Sequence, residues 1–550
     1  KRSATISRRA SAIRQKIPLG GWNREDLLFL NVLSAARPDF PVRAADIWEE
    51  FMYFIGIDLG TSAVKLLLMD EEGTVWNTVT EEYPICFPEP GWSEQNPSDW
   101  FEKTMAGLKK LTKGIDRTQI RAVSYSGQMH GLVALDEEDR VIRPAILWND
   151  GRTGRETDWL NQEMGKEWLS RQTANIAFAG FTAPKILWMQ HHEPELFRRI
   201  RKIMLPKDYV NYRLTGQFCT DYSDAAGTLL LDVKNRCWSE EMLRLCGISE
   251  SVLPRLCESF ELTGTLLPEI AAELGFPGTV FAAAGAADNA AAAVGNGIIG
   301  TGGEEKGHSP AAAGGCSLSL GTSGTILIPS SQFCPVPSNA LHVFSHADGG
   351  WYMMGCMLSA ASCWKWWTEQ ILHTSDNDTE QAQIESLGHN RVFYLPYLMG
   401  ERSPHNDPNA RAAFIGMDAS TTRADMNQAV LEGVLYGLRD SLEIARAQKN
   451  APSFARICGG GAKSPLWKKL AANILGLPVE VPANEEGPAF GAAILAAVAG
   501  GAFPSVPAAV EKLCRVKETV LPEKTLVKAY EEGYETFRLL YPALKKVFAK

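Results

Sequence analysis

Residues 55–62 read Ile-Gly-Ile-Asp-Leu-Gly-Thr-Ser, and residues 318–324 read Leu-Ser-Leu-Gly-Thr-Ser-Gly. In each copy an apolar run typical of a β-strand is followed by glycine and then by small hydroxyl residues. Glycine lets the backbone approach a ligand closely, and amide and hydroxyl groups in such a turn can hold phosphate oxygens. The repeat predicts a nucleoside triphosphate bound between two related lobes. The alternative is a pair of ordinary glycine turns between strands.

Asp58 sets the first copy of the turn apart, because the second copy carries no acidic residue. A magnesium ion prefers hard oxygen ligands and keeps much of its water when it binds phosphates. We therefore expect Asp58 to bind Mg²⁺, directly or through water. The next residues of the same turn, Gly60, Thr61 and Ser62, are predicted to contact the phosphates.

Asp288 is the candidate for the carboxylate that phosphoryl transfer needs beside the acceptor hydroxyl. It lies in Gly285–Ala290, where small neighbours leave its side chain room to face a ligand. An ordinary aspartate has a pKa of ~3.9, so early removal of a hydroxyl proton would be unfavourable. We expect Asp288 to orient the hydroxyl and to accept the proton late, helped by phosphates that raise its pKa. The alternative for this residue is a helix cap.

Met129 and His130 lie in a turn between two predicted strands, within Ser126–Gly131. A neutral histidine can form hydrogen bonds with sugar hydroxyls, and methionine supplies an apolar contact. Together with Asp288 and its neighbour Asn289, these two residues are predicted to bind the substrate. Considered as a lone pair, Met129 and His130 would more often be packing residues, but the whole Ser126–Gly131 stretch is more specific.

The composition limits the classes of function. A chain of 550 residues is too long for one core and implies about two to four domains. A net charge of −9 argues against a nucleic-acid or anionic-membrane partner, since both favour a basic surface. The eleven cysteines include no Cys-x-x-Cys pair, which indicates free thiols in a reducing cytoplasm.

Two segments of the sequence have features of a membrane span and of a targeting peptide. The apolar run Ala489–Phe503 is shorter than the ~20 residues that a membrane span needs and ends at Pro504. Residues 1–51 begin with a basic, serine-containing stretch that has no acidic residue before Glu25, which fits an organelle transit peptide. We favour the hypothesis that Met52 is the true start, and we expect residues 1–51 to be poorly ordered.

From Tyr53 onward, short apolar runs alternate with helical stretches, the pattern of an α/β fold. Residues 54–58, 64–69 and 75–80 are predicted to form a strand meander, and Asn96-Pro97 has the residues of a helix start. Residues 425–448 are predicted to form a helix with a buried leucine face. The predicted organisation is an N-terminal lobe over 52–297, an insertion over 298–315 and a C-terminal lobe over 316–550.

Several motifs, taken in their order along the chain, resemble the FGGY family of carbohydrate kinases. They are Gly91–Gln95, Ser126–Gly131, Pro144–Arg152, Ala287–Asn289, Leu320–Gly324, Tyr394–Arg402, Ala412–Glu432 and Gly459–Ala462. The resemblance implies two actin-like (ribonuclease-H-like) lobes with ATP and sugar in the cleft between them. It also implies that Asp288 is the proton acceptor, that Asp58 is an acid needed for activity, and that Met129 and His130 bind sugar. ATP would be contacted by Gly321, Thr322, Gly460 and Gly461.

Within this family the chain looks most like kinases that convert D-xylulose to D-xylulose 5-phosphate with ATP and Mg²⁺. One alternative is a member acting on ribulose, gluconate or glycerol. Another is an actin-like nucleotide switch, although the tail from Val498 is short for a peptide-binding domain. A homodimer is the assembly considered. The 298–315 segment looks longer than the family's usual link, and residues 1–51 have no counterpart.

Overall fold

The computed structural model describes residues 52–300, 314–336 and 339–548. The predictions made for residues 1–51 and for most of 298–315 therefore lie outside the described residues. Within the described ranges, no helix is long and apolar enough to cross a membrane. The eleven cysteines are all unpaired, as the sequence predicts.

The first sheet is seven-stranded and holds the first copy of the turn. Its strands are β1 (Tyr53–Leu59), β2 (Ala63–Asp70), β3 (Val75–Glu82), β4 (Ile120–Gly127), β5 (Leu262–Thr265), β6 (Phe281–Ala283) and β7 (Ala286–Ala287). They lie in the order β5-β6-β4-β1-β2-β3, and β7 pairs with β4 beyond the end of β6. β1 is antiparallel to β2 and parallel to β4.

The second sheet repeats this arrangement around the second copy of the turn. Its strands are β8 (Gly315–Leu320), β9 (Gly324–Ser330), β10 (His342–Ser345), β11 (Trp351–Met357), β12 (Phe454–Cys458), β13 (Val479–Pro482) and β14 (Val516–Val520). The order is β10-β11-β9-β8-β12-β13-β14. As in the first sheet, the strand before the turn is antiparallel to its successor and parallel to a later strand. The predicted α/β fold with two actin-like lobes is confirmed.

Helices surround both sheets. Those of the first half are α1 (Pro97–Leu111), α2 (Gly154–Trp159), α3 (Lys166–Thr173), α4 (Thr182–His192), α5 (Pro194–Arg199), α6 (Pro206–Thr215), α7 (Tyr222–Ala225), α8 (Glu240–Leu245), α9 (Pro268–Leu274) and α10 (Asp288–Gly295). Those of the second half are α11 (Ala361–Trp366), α12 (Asn377–Ala382), α13 (Arg423–Ala447), α14 (Pro465–Leu475), α15 (Gly487–Ala499), α16 (Val506–Leu513) and α17 (Lys524–Phe548).

Short strand pairs lie outside the two sheets. They are Glu94–Gln95 with Ala145–Ile146, Val133–Leu135 with Lys202–Met204, Cys219–Asp221 with Arg255–Cys257, Leu231–Asp232 with Cys237–Trp238, and Phe393–Leu395 with Ala413–Ile415.

The local sequence signals correspond to the elements they predicted. Asn96 caps α1, and its side-chain oxygen accepts a hydrogen bond from Ser98 N. The leucine face predicted for residues 425–448 lies on α13 and is buried. The strand meander is β1, β2 and β3, each slightly longer than predicted. These elements follow from capping and periodicity, which act over a few residues.

Helices α10 and α15 cross at very short range because small residues meet at the crossing. A Cβ added at Gly491 would lie 1.8 Å from Ala291 O, and one at Gly295 would lie 2.4 Å from Gly487 O. α15 also lies against β1, where a Cβ at Gly56 would come within 2.0 Å of Ala489 O. The run Ala489–Phe503 is therefore apolar because α15 is packed on the first sheet.

Candidate active site

Asp58 and Asp288 lie at the same edge of the first sheet. The register of the parallel strands β1, β4 and β7 pairs Asp58 with Ser126, and Ser126 with Ala286. β7 ends at Ala287, and Asp288 directly follows as the first residue of α10. Because parallel strands place their carboxyl ends at one edge, residues far apart in the chain converge there.

Asp288 is a carboxylate in a poorly solvated setting. Burial raises its pKa to about 7, and the negative charge of Asp58 adds to the rise. A hydrogen bond from Asn289 N to Asp288 Oδ1 (2.6 Å) works in the opposite direction. The Asn289 side chain also donates to Asp288 Oδ1, at 2.9 Å. The pKa of Asp288 is therefore close to neutral pH, where a general base is most effective.

The pKa of Asp58 is raised to about 6, mainly by burial. The Ser126 hydroxyl and the positive charge of Lys65 both act to lower the pKa of Asp58. Among the described residues, however, the Ser126 hydroxyl forms no hydrogen bond of regular geometry. Lys65 is itself ion-paired with Glu486, at the start of α15. A cation beside Asp58 would stabilise its charged form, so this carboxylate suits a metal ligand.

Met129 lies beside Asn289, the residue that follows Asp288, and His130 is the next residue after Met129. Met129 Sδ is 3.8 Å from Asn289 Nδ2. His130 has a positive φ of 70°, and its carbonyl oxygen accepts from Lys185 Nζ (2.8 Å) and Thr182 Oγ1 (3.0 Å). The uncommon backbone conformation of His130 is therefore stabilised by two buried donors.

The His130 ring has a defined role in hydrogen bonding. Its Nδ1 is 2.6 Å from Gly227 O, and a carbonyl oxygen can only accept, so Nδ1 carries the proton. Burial lowers the pKa of His130 to about 3, and the charge of Lys185 contributes. The ring is therefore neutral at physiological pH, and its Nε2 is an acceptor that can receive a hydrogen bond from a sugar hydroxyl.

The first phosphate turn uses part of its hydrogen-bonding capacity internally. Gly60 N donates to Ala63 O at 3.0 Å, so this amide closes the turn. The backbone carbonyl oxygen of Thr61 accepts a hydrogen bond from Gln95 Nε2 (2.7 Å), and the Thr61 hydroxyl accepts one from Trp148 Nε1 (3.0 Å). Any phosphate donors of this turn are thus the amides and hydroxyls of Thr61 and Ser62, while Gly60 supplies the bend.

The second turn is also closed by the amide of its first glycine, although the accepting carbonyl is two residues on instead of three. Gly321 N donates to Ser323 O at 3.1 Å. The Gly459–Gly461 turn lies against it, since a Cβ at Gly459 would be 2.8 Å from Leu320 O. Gly460 is exposed, and nothing lies within 4 Å of where its Cβ would be. The four residues predicted to contact ATP (Gly321, Thr322, Gly460 and Gly461) therefore lie together at one edge of the second sheet.

The second half of the chain also reaches the substrate side. Val343 in β10 forms two hydrogen bonds with the Asn175 side chain, Asn175 Nδ2 to Val343 O (2.8 Å) and Val343 N to Asn175 Oδ1 (3.2 Å). Trp351 Nε1 in β11 donates to Val233 O at 2.9 Å. Burial raises the pKa of Tyr352 in β11 well above its usual value, and the charge of Asp288 adds to the rise.

Sequence reasoning gave no role to several residues around His130. Phe181 stacks on the His130 ring with 4.5 Å between centroids, and Phe178 lies beside Phe181. The Arg402 guanidinium is 4.9 Å from the Phe178 ring, and its charge helps to lower the pKa of His130. Arg402 belongs to the Tyr394–Arg402 motif, which is the signal that could have identified it. Phe178 and Phe181 have no comparable signal.

In the part of the chain that the structure describes, no group of three or more His, Cys, Asp or Glu side chains could hold a metal ion. A magnesium ion that is held mainly by substrate phosphates and water needs only one or two protein carboxylates. Asp58, beside the first phosphate turn, is the residue that matches this description.

Comparisons with known proteins agree with this arrangement. The model of the FGGY family of carbohydrate kinases matches the chain twice, with its N-terminal domain at residues 53–295 and its C-terminal domain at residues 316–500. A xylulose kinase of Escherichia coli is 41% identical over 499 residues, which cover 90% of this chain and all of the relative.

Solved structures give the same result. The crystal structure of a "xyloylose kinase" from Brucella ovis matches with a TM-score of 0.84 and 38% identity, over 90% of this chain and 100% of that one. A gluconate kinase from Lactobacillus acidophilus matches with a TM-score of 0.83 and 26% identity, over 90% and 98% of the two chains.

Proposed function

This chain belongs to the FGGY family of carbohydrate kinases, and on that premise we propose that it phosphorylates D-xylulose to D-xylulose 5-phosphate with ATP. The activity named for its relative at 41% identity supports this substrate. The observation that carries the mechanism is the position of Asp288, a half-buried carboxylate that Asn289 holds at the same sheet edge as the first phosphate turn.

In the proposed reaction Asp288 accepts a hydrogen bond from the hydroxyl that will be phosphorylated. The hydroxyl oxygen forms a bond to the γ-phosphorus while the bond from phosphorus to the β-phosphate oxygen breaks and ADP leaves. The hydroxyl proton passes to the Asp288 carboxylate. A carboxylate whose pKa is about 7 accepts that proton more readily than an ordinary aspartate.

The substrate is positioned by the residues around Asp288. His130 Nε2 accepts a hydrogen bond from one sugar hydroxyl, and Asn289 holds the Asp288 carboxylate in place. Met129 supplies an apolar contact next to them. Such positioning contributes several kcal/mol to a phosphoryl transfer, because the reacting atoms are aligned before the reaction.

The nucleotide would be held from both lobes. Thr61 and Ser62 contribute donors from the first turn, and Gly321, Thr322, Gly460 and Gly461 contribute backbone contacts from the second. Asp58 would hold Mg²⁺, which neutralises phosphate charge during the transfer when it is bound. We also infer that residues 52–297 form an N-terminal lobe and that residues 316–550 form a C-terminal lobe. The oligomer that we consider is a homodimer.

A coupled assay of ADP release across pentuloses, hexuloses and polyols tests the proposal. We expect the highest kcat/KM with D-xylulose and none of comparable size with glycerol or gluconate. A higher kcat/KM with another sugar would assign the chain to a different member of the family. ADP release that does not depend on sugar, with no phosphorylated sugar formed, would favour the nucleotide-switch interpretation instead.

The substrate panel includes gluconate because a solved gluconate kinase has nearly the same fold at 26% identity. On the proposed sugar side of the site, Phe181 stacks on His130, and Phe178 and Arg402 lie next to Phe181 and Phe178 respectively. The Arg402 guanidinium lies over the Phe178 ring and keeps its positive charge. Because an arginine can bind a carboxylate, gluconate is the most informative comparison with the neutral D-xylulose.

A further inference from the structure

A buried cluster of charged residues lies behind Asp288, and the mechanism above does not use it. Lys207 Nζ is 2.5 Å from Asp208 Oδ1, 3.0 Å from Asp221 Oδ1 and 3.7 Å from Asp224 Oδ2. All four side chains are at most 1% exposed. Burying one cation with three carboxyl groups is costly, so such a cluster calls for an explanation.

Asp224 is the least satisfied member of the Lys207 cluster. Among the described residues, neither of its oxygens has a hydrogen-bond partner, and Lys207 Nζ lies 3.7 Å from its Oδ2. Burial raises the pKa of Asp224 well above its usual value, and the charges of Asp208, Asp221 and Asp288 add to the rise, against Lys207. Asp224 therefore holds a proton more strongly than an ordinary aspartate, and Lys207 Nζ lies closer to Asp208 and Asp221 than to Asp224.

Asp221 connects the Lys207 cluster to the segment that carries Asp288. Its Oδ2 accepts hydrogen bonds from Ser223 N (2.8 Å), from the Ser223 hydroxyl and from Ser259 Oγ (2.7 Å). The Ser223 hydroxyl oxygen in turn accepts from Ala287 N at 3.0 Å. The chain of contacts runs from the Lys207 ammonium through Asp221 and Ser223 to the amide immediately before Asp288.

The opposite side of β7 is fixed by the sheet. Ala286 and Ala287 pair with Ser126 and Gly127 of β4, and Gly285 N donates to Ser259 O at 3.0 Å. Asp221 therefore accepts hydrogen bonds from both Ser259 and Ser223. These two serines in turn accept from Gly285 N, just before β7, and from Ala287 N, at its end. Gly227, a few residues after Ser223 in the chain, supplies the carbonyl oxygen that accepts the hydrogen bond from His130 Nδ1.

We propose that the Lys207 cluster positions Asp288, by holding Asp221 so that Ser223 fixes the Ala287 amide against β4. This inference rests on the proposed function of Asp288 as the proton acceptor. Ser223 and Asp221 act through the backbone and are positioning residues, since neither touches the substrate. A displacement of about 1 Å at a reacting group can reduce the rate by about a hundredfold.

The test compares Ser223→Ala with Ser259→Ala. Both variants remove one hydroxyl that donates to Asp221 Oδ2, and both serines are buried, but only Ser223 contacts the Ala287 amide. We expect Ser223→Ala to lower kcat about tenfold to a hundredfold with the sugar KM changed less than about threefold. Ser259→Ala should keep kcat within about threefold of the wild-type value.

A second measurement does not depend on turnover. Hydrogen–deuterium exchange of the peptide that contains residues 284–290 should be faster in Ser223→Ala and unchanged in Ser259→Ala, because the Ala287 amide has lost its acceptor. Ser223→Cys, which nearly keeps the side-chain volume and replaces the hydroxyl with a weaker partner, should lie between wild type and Ser223→Ala. It also serves as the test variant if Ser223→Ala does not fold.

Equal kcat and equal exchange in Ser223→Ala and Ser259→Ala would overturn the positioning role, even if the wild type phosphorylates sugars. So would a fall in kcat that only parallels a loss of melting temperature in both variants. If the wild type shows no sugar-dependent ADP release, the proposed function fails. In that case the exchange measurement still decides whether Ser223 holds Ala287.

Discussion

At the residue scale, the properties of Asp288 come from where its carboxylate lies. A free aspartate would be a weak base for a hydroxyl proton, yet burial and the neighbouring Asp58 raise the pKa of Asp288 to about 7. The neighbouring Asn289 donates to it without supplying a positive charge. The site thus has a base matched to neutral pH, and the local chain around Asp288 contains no cation to reverse that shift.

Asp288→Asn tests the base directly. We expect kcat to fall by about 10²–10⁴-fold with little change in the sugar KM, because the amide can still accept a hydrogen bond but cannot take the proton. Steady-state kinetics with saturating ATP and Mg²⁺ provide the measurement. Turnover close to that of the wild type would remove Asp288 from the mechanism.

The pH dependence should follow the raised pKa of Asp288. Because the ionised carboxylate is the reactive form, kcat/KM for the sugar should fall below about pH 7 and reach a plateau above it. The ionisation of Asp288 affects the stability of the fold in the opposite direction, because stability falls as pH rises while activity increases. The folded protein retains a proton that the unfolded chain releases near pH ~3.9, so this group lowers the unfolding free energy as pH rises from about 4 to 7.

The unfolding free energy of Asp288→Asn relative to wild type provides an independent check of that sign. The variant should gain stability over wild type at pH 8, where the wild-type carboxylate is charged and buried, and should show little gain near pH 4. A gain that is constant over this range would contradict a raised pKa for Asp288.

His130→Ala should chiefly raise the sugar KM. The variant removes the Nε2 acceptor and the ring that stacks on Phe181, while Asp288 keeps its contacts with Asn289. We expect an increase of about tenfold or more, the effect of losing one hydrogen bond to a substrate. His191→Ala is the control, because His191 is an exposed histidine on α4. An unchanged KM would make His130 a structural residue.

At the element scale, the crossing of α10 and α15 determines how closely the carboxylate helix lies against the first sheet. Gly491, Gly295 and Gly56 lie where backbone meets backbone, and no larger side chain fits at these points. α10 begins at Asp288 and meets α15 at Ala291 and Gly295, so this crossing packs the helix that carries the proposed base against the core. The sequence indicates this packing through its alanine and glycine content, but the partner of each helix is a tertiary feature.

Gly491→Ala tests this crossing. Its Cβ would lie 1.8 Å from Ala291 O, so the two helices must separate, and we expect a loss of about 1–3 kcal/mol of unfolding free energy. Gly154→Ala, also in a helix but with nothing within 4 Å of its Cβ, is the matched control and should be neutral or slightly stabilising. Chemical denaturation of both variants provides the comparison, and equal stability would contradict the close approach.

At the scale of the whole molecule, the site depends on both halves of the chain. The first half supplies Asp58, Asp288 and His130, and the second supplies Arg402 and the strands β10 and β11. Bringing two lobes together around a substrate excludes water and completes the site only when the substrate is bound. The contacts between Asn175 and Val343 are one place where the two halves meet.

Asn175→Ala tests the importance of that contact. It leaves the amide and carbonyl of Val343 without their partner while leaving Asp288 and His130 intact. We expect the ratio of sugar-dependent to sugar-independent ADP release to fall by about threefold or more, because the lobes meet less tightly and water has better access. Measuring ADP release with and without sugar provides the ratio; an unchanged ratio would limit Asn175 to a role in stability.

The repeated phosphate turn, the α/β pattern, the family and the candidate residues could all be predicted from the order of the amino acids. Those features depend on short stretches, in which glycine, capping residues and hydrophobic periodicity act over a few positions. The tertiary structure alone decided that burial and Asp58 raise the pKa of Asp288, that His130 carries its proton on Nδ1, and that Arg402 and the Lys207 cluster lie near the site. The reason is physical: desolvation and charge–charge interactions depend on distances between segments remote in sequence, and only the fold sets those distances.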